Sequence, residues 1–153
     1  MFWNALQTES VCFPGIVVYS PLGRGLITGV IKKASDIPDG DVRHHMPRYS
    51  EHLEENLKLI EIIQEIADAK QCTVGQVALA WVHAQGEDVF PIPGTKRLDR
   101  FEENMKAFDV RLSEEDMSKL DTIAGRIKGD RHTKEMMKIT FNGLQKEAAS
   151  AGK

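Results

Sequence analysis

Two short stretches of this chain carry residues whose types and spacing could hold an anion. In the first, Pro93-Gly94-Thr95 makes a tight turn, and Lys96, Arg97 and Arg100 follow at once. Leu98, Phe101 and Met105 recur at helical spacing. That spacing predicts a helix from Lys96, with the three cations on or near its first turn and facing away from the apolar stripe. A helix start already presents unpaired N–H groups and a partial positive charge, so cations added there build an anion site. The bland alternative is a surface turn with solvated lysine and arginine. In the second stretch, Leu22-Gly23-Arg24-Gly25 gives a glycine-rich loop directly after the apolar run Gly15-Ile16-Val17-Val18-Tyr19 and Ser20-Pro21. Glycines let backbone approach a ligand closely. No third glycine opens a helix at the needed spacing, so this is not a Rossmann fingerprint.

Other chemistry-bearing residues group less well. His44, His45 and His52 lack an acidic or cysteine partner at helical or hairpin spacing, so no metal site is expected. Cys12 and Cys72 lie far apart without metal-ligand spacing, which predicts free thiols in a reducing compartment. His83 reads as a boundary residue of a buried helix, and Trp81 with Met136 and Met137 as packing or tail residues.

The elements that position the two anion candidates can be read from periodicity. The run at 15–19 is β-branched and wholly apolar, which predicts a strand buried on both faces as in a parallel sheet. The segment from Lys32 to Arg48, with Pro38, Gly40 and Pro47, reads as a long irregular loop of the active-site or lid kind, or as simple disorder. Leu53, Leu57, Ile60, Ile63 and Ala67 mark the inner face of a helix whose outer face carries Glu54, Glu55, Lys58 and Glu61. Thr73 and Gln76 form a capping box opening a largely buried helix over 74–85. Val89-Phe90-Pro91-Ile92 reads as a second strand. Ser113 caps a last helix, with Leu112 stapling onto Met117 and a stripe of Met117, Leu120 and Ile123. Beyond Gly125 the tail is polar and weakly patterned, and its last residues are expected to be disordered.

Composition bounds the class. The chain has 153 residues, 41% hydrophobic and 28% charged, an ordinary globular composition of single-domain size. A net charge of −3 argues against general nucleic-acid binding. No apolar run is long enough to span a bilayer and no signal-peptide pattern opens the chain, so a cytoplasmic protein without membrane attachment is expected. The order strand, loop, helices, strand, helix, helix predicts an α/β fold whose ligand loops follow the strand ends. Two parallel strands cannot form a sheet buried on both sides, so the chain reads as part of a larger β/α domain.

Three segments in order, IVVYSPLGRGLITG from Ile16, VALAWVHAQ from Val77 and FPIPGTKRLDRFEENMKAF from Phe90, resemble the aldo-keto reductases that carry YSPLGRG. The resemblance covers roughly residues 15 to 131, with GDRH from Gly129 similar to the family's C-terminal loop. It implies the C-terminal portion of a (β/α)8 TIM barrel, about two β/α units plus a C-terminal helix, an incomplete barrel. Residues 1–14 stand as an atypical N-terminal segment, 15–125 as the barrel half with NADP(H)-binding loops, and 126–153 as a polar tail.

The resemblance also implies the cofactor NADP(H) and residues to hold it. Ser20, Pro21, Leu22, Gly23, Arg24 and Gly25 match the loop over the pyrophosphate, and Tyr19 matches a residue that stacks on the nicotinamide. Gly94, Thr95, Lys96 and Arg100 match the clamp on the adenosine 2′-phosphate, where an arginine fork can hold two oxygens at once. Glu103 and Asn104 match the pair that binds adenine, and Arg48 matches an arginine near the same end of the cofactor. Many of these reductases carry a lysine where this chain has Gly94, so the lysine contact passes to Lys96 or Arg97.

Family members reduce carbonyl groups with a tyrosine proton donor supported by lysine, aspartate and usually histidine, all from the first half of the barrel. Those motifs are not found in this sequence, so no catalytic residue is assigned, and a carbonyl substrate is expected only where that half is supplied. Residues 1–14 lack the helical stripe the family has before this strand; they read as joined from elsewhere, with Phe2, Trp3 and Val11 as candidates to cover an open edge. The readings are the NADP(H)-binding half of a carbonyl reductase, a non-catalytic module that binds NADP(H) or associates through its open strand edges, or a degenerate fragment.

Overall fold

The computed structural model describes residues 15–138. The expectations for residues 1–14, Cys12 among them, and for the end of the tail lie outside the described residues. Strand β1 (Ile16–Tyr19) is followed by α1 (Pro47–Ser50), α2 (Leu53–Ala69) and α3 (Val74–His83). Strand β2 (Val89–Ile92), α4 (Leu98–Met105), α5 (Glu114–Ala124) and the short α6 (Lys134–Lys138) complete the order. The strands pair parallel, Ile16 opposite Val89 and Tyr19 opposite Ile92, joined by the right length of helical crossover.

The main core lies between helices. Leu59, Ile60, Ile63, Ile66 and Ala67 of α2 meet Val74 and Val77 of α3 and Leu120 and Ile123 of α5. Both capping boxes form: the Thr73 hydroxyl accepts from the Gln76 N–H at 3.2 Å while the Thr73 N–H donates to Gln76 Oε1 at 2.9 Å. Ser113 and Asp116 make the corresponding pair at the start of α5. Trp81 is half-buried and donates its indole N–H to Asp121 at 2.8 Å.

Three sequence expectations need correction. The sheet is not covered on both sides: Val17, Tyr19, Phe90 and Ile92 share one face by register and are 61, 52, 52 and 54% exposed. Helices lie on the other face, and α3 packs against β2. The segment 32–48 is not irregular. It winds through 3-10 turns at Ala34–Asp36 and Val42–His45 into α1, and it buries Ile37 and Met46 with Leu26, Ile31, Tyr49 and Leu53 in a second apolar cluster. Its apolar residues are spaced by turns and not by a helical or strand period, which is why periodicity does not reveal them. The third concerns α4, which begins at Leu98, so Lys96 precedes it and Arg97 is its N-cap residue. Its stripe of Leu98, Phe101 and Met105 faces outward and is exposed.

Packing continues past Gly125. Ile127 joins the main core, and the fully buried Asn56 donates to the carbonyls of Arg48 (3.1 Å) and Lys128 (3.0 Å) while accepting from the Lys128 N–H (2.9 Å). Gly129 then runs so close to α1 that a Cβ there would lie 2.6 Å from the Arg48 nitrogen.

Candidate functional site

The loops that follow β1 and β2 form the two walls of one open cleft of about 660 Å3. Tyr19, Ser20, Pro21, Leu22, Arg24 and Gly25 contribute to one wall. Gly94, Thr95, Arg100, Glu103 and Asn104 contribute to the other. Eleven of the sequence-predicted positions therefore converge, although the two groups are separated by most of the described chain. Strand pairing explains the convergence: parallel strands in register end together, so the loops leaving them emerge side by side.

The first wall is held from beneath. Ser20, Gly23, Arg24 and Gly25 all have left-handed backbone, with φ of 51, 56, 56 and 92°. The Gly23 N–H bonds back to the Ser20 carbonyl at 3.0 Å and the Gly25 N–H to the Leu22 carbonyl at 3.1 Å. The two glycine N–H groups are thus spent within the loop, so any ligand contact there falls to the loop's other polar groups. Glycine is favoured at position 25 because its φ of +92° is a conformation that side chains rarely adopt. Tyr49 donates its hydroxyl to the Gly23 carbonyl, and burial pushes that phenol's pKa upward. Leu26, buried in the second cluster, anchors the loop's far end.

Arg43 lines the cleft without having been singled out by sequence. Its guanidinium forks onto Asp41 at 2.9 and 2.8 Å and donates to the Arg24 carbonyl at 3.1 Å, so it braces the loop. The hydrogen bonds from Arg43 hold the Asp41 carboxyl down at about 2. The only sequence signal was the Asp41–Arg43 spacing in a turn. Thr28, Val30, Ile31, Gly75, Ile92 and Pro93 also border the cleft. Of these, Gly75 at the start of α3 lies near Leu22 and Glu103, and it lets the two walls approach over the helix end.

The second wall is more open. Arg100 Nη1 donates to Glu103 Oε2 at 2.6 Å, and the Thr73 hydroxyl donates to the other carboxylate oxygen at 2.8 Å. Glu103 is therefore fixed by two partners, and Arg100 keeps donors free beyond that bond. Gln76 ties the same turn down through the Glu103 carbonyl at 2.8 Å. Arg97 pairs with Asp99 and is neutralised by it, which leaves Lys96 as the free cation beside Gly94 and Thr95. Lys96 is exposed, makes no ion pair among the described residues and does not itself line the cleft. A Cβ at Gly94 would meet nothing within 4 Å, so that turn is surrounded by open space.

Two predicted residues fall elsewhere. Gly23 and Arg48 border a separate small recess on the other side of the first loop, with Arg24, Tyr49 and Arg131. Arg131 lies with its guanidinium carbon 4.3 Å from the centroid of the Tyr19 ring, covering one face of it. Arg48 donates to the Gly129 carbonyl at 3.2 Å and does not meet Arg100 or Lys96.

Among the described residues no group of three or more His, Cys, Asp and Glu side chains could hold a metal ion. His44 contacts the Pro38 carbonyl and His52 contacts Glu55, which places them on separate turns. Cys72 is a free, partly buried thiol whose pKa burial pushes upward. No described helix is long and apolar enough to cross a membrane.

Residues 14–124 match the Aldo/keto reductase family. Aldo-keto reductase yakc [NADP(+)] of Schizosaccharomyces pombe is 51% identical over 100 residues, which covers 65% of this chain and 29% of that protein. The crystal structure of a thermostable aldo-keto reductase, Tm1743, in complex with the inhibitor epalrestat superposes with a TM-score of 0.52 at 27% identity. That match covers 79% of this chain and 32% of the reductase. The chain thus spans about a third of the length of the relatives it matches, and with most of its residues inside the family match it belongs to the aldo/keto reductase family.

Proposed function

We propose that this chain is the NADP(H)-binding C-terminal portion of a (β/α)8 barrel that reduces aldehydes or ketones to alcohols. The observation that carries the reading is the single cleft between the loops leaving β1 and β2, with arginine on both walls and free Lys96 at its edge. A cleft of this volume at the ends of parallel strands is where α/β proteins bind nucleotides. The name of the yeast relative, which includes NADP(+), supports the cofactor choice.

In this reading the loop 20–25 lies against the pyrophosphate, Arg100 and Lys96 with Gly94 and Thr95 hold the 2′-phosphate, and Glu103 with Asn104 meets the adenine. Arg100 suits the task because Glu103 fixes the guanidinium while leaving donors free for phosphate oxygens. Tyr19 offers the nicotinamide the ring face that Arg131 leaves uncovered. Bound NADPH supplies the hydride; the proton donor comes from barrel segments outside this chain. Tyr49 does not serve as that donor, since its hydroxyl is buried and bonded to the Gly23 carbonyl. Residues 15–125 form the cofactor-binding body, flanked by the segments 1–14 and 126–153, and the setting is the cytoplasm.

A second reading, association through the sheet, is favoured by one observation: Val17, Tyr19, Phe90 and Ile92 leave a contiguous apolar face half exposed. The remaining strands of the barrel, or a second copy, would cover it.

The cofactor reading is tested by measuring NADPH and NADH affinities of Lys96→Ala and Arg100→Ala. Each substitution should weaken NADPH by about 1–3 kcal/mol and leave NADH nearly unchanged, because only NADPH carries the 2′-phosphate. Equal loss for both cofactors would reject the assignment.

A further inference from the structure

Three arginines line the small recess behind the first loop, and none is held by a carboxylate in a salt bridge; Asp130 acts on Arg48 only through a longer-range attraction. Arg24 comes from that loop, Arg48 from α1 and Arg131 from the segment after α5. None takes part in a salt bridge among the described residues, in contrast to Arg43, Arg97 and Arg100. Each is held by a neutral partner: Arg24 Nη2 donates to His132 Nδ1 at 3.3 Å, Arg48 Nη2 to the Gly129 carbonyl, and Arg131 stacks on Tyr19. His132 is buried, and its pKa is held down first by that burial and then by Arg24, Arg131 and Arg48, which leaves the ring nitrogen free to accept. The Nε of Arg48 is buried and has no hydrogen-bond partner. An orphaned charged donor in a cluster of like charges is costly unless something anionic answers it.

The backbone is built to bring these groups together. Gly129, at φ +82°, lets the C-terminal segment lie against Arg48, and the Arg48 N–H donates to the Asp130 carbonyl at 3.3 Å. Asn56 fixes the same segment one residue earlier through Lys128. The recess itself is about 10 Å3, enough for one oxygen-sized atom.

We propose that this recess is an oxyanion subsite, distinct from the cleft, that admits one oxygen of a carboxylate or phosphate while Arg24 and Arg131 at its rim take the others. It lies at the Tyr19 end of the cleft, since Arg24 borders both cavities and Arg131 covers the Tyr19 ring. Two sources share this chemistry: a phosphate of the dinucleotide, or an acidic group on the small molecule that the nicotinamide end receives.

The test is a calorimetric titration of the folded 153-residue chain with malonate and with inorganic phosphate at fixed ionic strength. Saturable binding is expected, weakened at least tenfold in Arg131→Gln and in Arg48→Gln, partly retained in Arg131→Lys, and unchanged in Lys119→Ala, an exposed cation of α5 that borders neither cavity. Arg131 lies outside both apolar clusters, so its variants keep the fold. Repeating the titration with saturating NADPH separates the sources. Undiminished anion binding assigns the subsite to an acidic substrate group, and competition assigns it to a cofactor phosphate. Absence of saturable anion binding, or equal affinity in wild type and Arg131→Gln, overturns the subsite. If NADPH alone fails to bind while malonate binds and responds to Arg131, the cofactor reading falls and the subsite stands.

Discussion

The two walls of the cleft solve opposite problems. The loop after β1 rests on its own apolar cluster and is braced by Tyr49 and by Arg43 at the cleft's border, so its strained left-handed backbone is held by several contacts. The turn after β2 rests on little: residues 94–99 are exposed, and α4 turns Leu98, which is 72% exposed, to solvent. The difference teaches where shape and charge reside. The first wall supplies a rigid surface, whereas the second supplies cations whose cost in the empty state is small because water still solvates them.

Paired truncations would break this comparison most visibly. Leu26→Ala, beneath the first wall, should destabilise the chain by about 2–5 kcal/mol, while Leu98→Ala on the second should change stability by less than about 0.5 kcal/mol, both read from denaturant unfolding. Similar losses at the two positions would mean that the walls are equally supported. Asn56→Ala comes next, at about 1–3 kcal/mol, because it removes a fully buried side chain that bonds the Lys128 N–H and two carbonyls at once. Tyr49→Phe sharpens the picture further. Removing one hydrogen bond to Gly23 should cost about 1 kcal/mol and lower affinity for cofactor only modestly, whereas a change at Arg100 should do the reverse.

The smallest effect is electrostatic. Asp116 is held down at about 2, first by its hydrogen-bonded ion pair with Lys70, and Asp41 at about 2 by Arg43. Both carboxyls bind protons less readily folded than unfolded, so their contribution is complete above the ordinary value of 3.8 and fades as pH falls toward 2. Unfolding midpoints measured between pH ~6 and ~3 should fall less steeply in Asp116→Asn than in the wild type. An unchanged slope would show that the pair with Lys70 is not maintained in solution.

Much of this was legible in the sequence where one residue answers a neighbour within a turn or two. The α2 stripe and the Thr73–Gln76 and Ser113–Asp116 boxes are local patterns, and the chain forms them as read, whereas Pro93–Thr95, read as a tight turn, is an irregular connection without a backbone turn bond. The site was legible as two loops because each follows an apolar run. What escaped were partnerships across sequence distance. Asn56 sits on the apolar face of α2, a polar residue where Leu53 and Ile60 predict core, and its partner is at Lys128. Arg48 was placed with the 2′-phosphate, yet it faces Gly129 and Arg131, because the segment after α5 folds back over α1. The start of α4 was read too early because Lys96 and Arg97 extend the apparent period. Thr95 instead caps locally by accepting from the Arg97 N–H, and the helix begins after it.

The most direct test of the central claim is a titration of the 153-residue chain with NADPH and NADH at equal ionic strength, on protein shown to be folded by its far-ultraviolet spectrum. The account predicts saturable binding of both, with NADPH tighter by about tenfold or more, equivalent to about 1.4 kcal/mol from the 2′-phosphate contacts. Equal affinities, or no saturable binding of either cofactor by the folded chain, would contradict the claim that this cleft is an NADP(H) site.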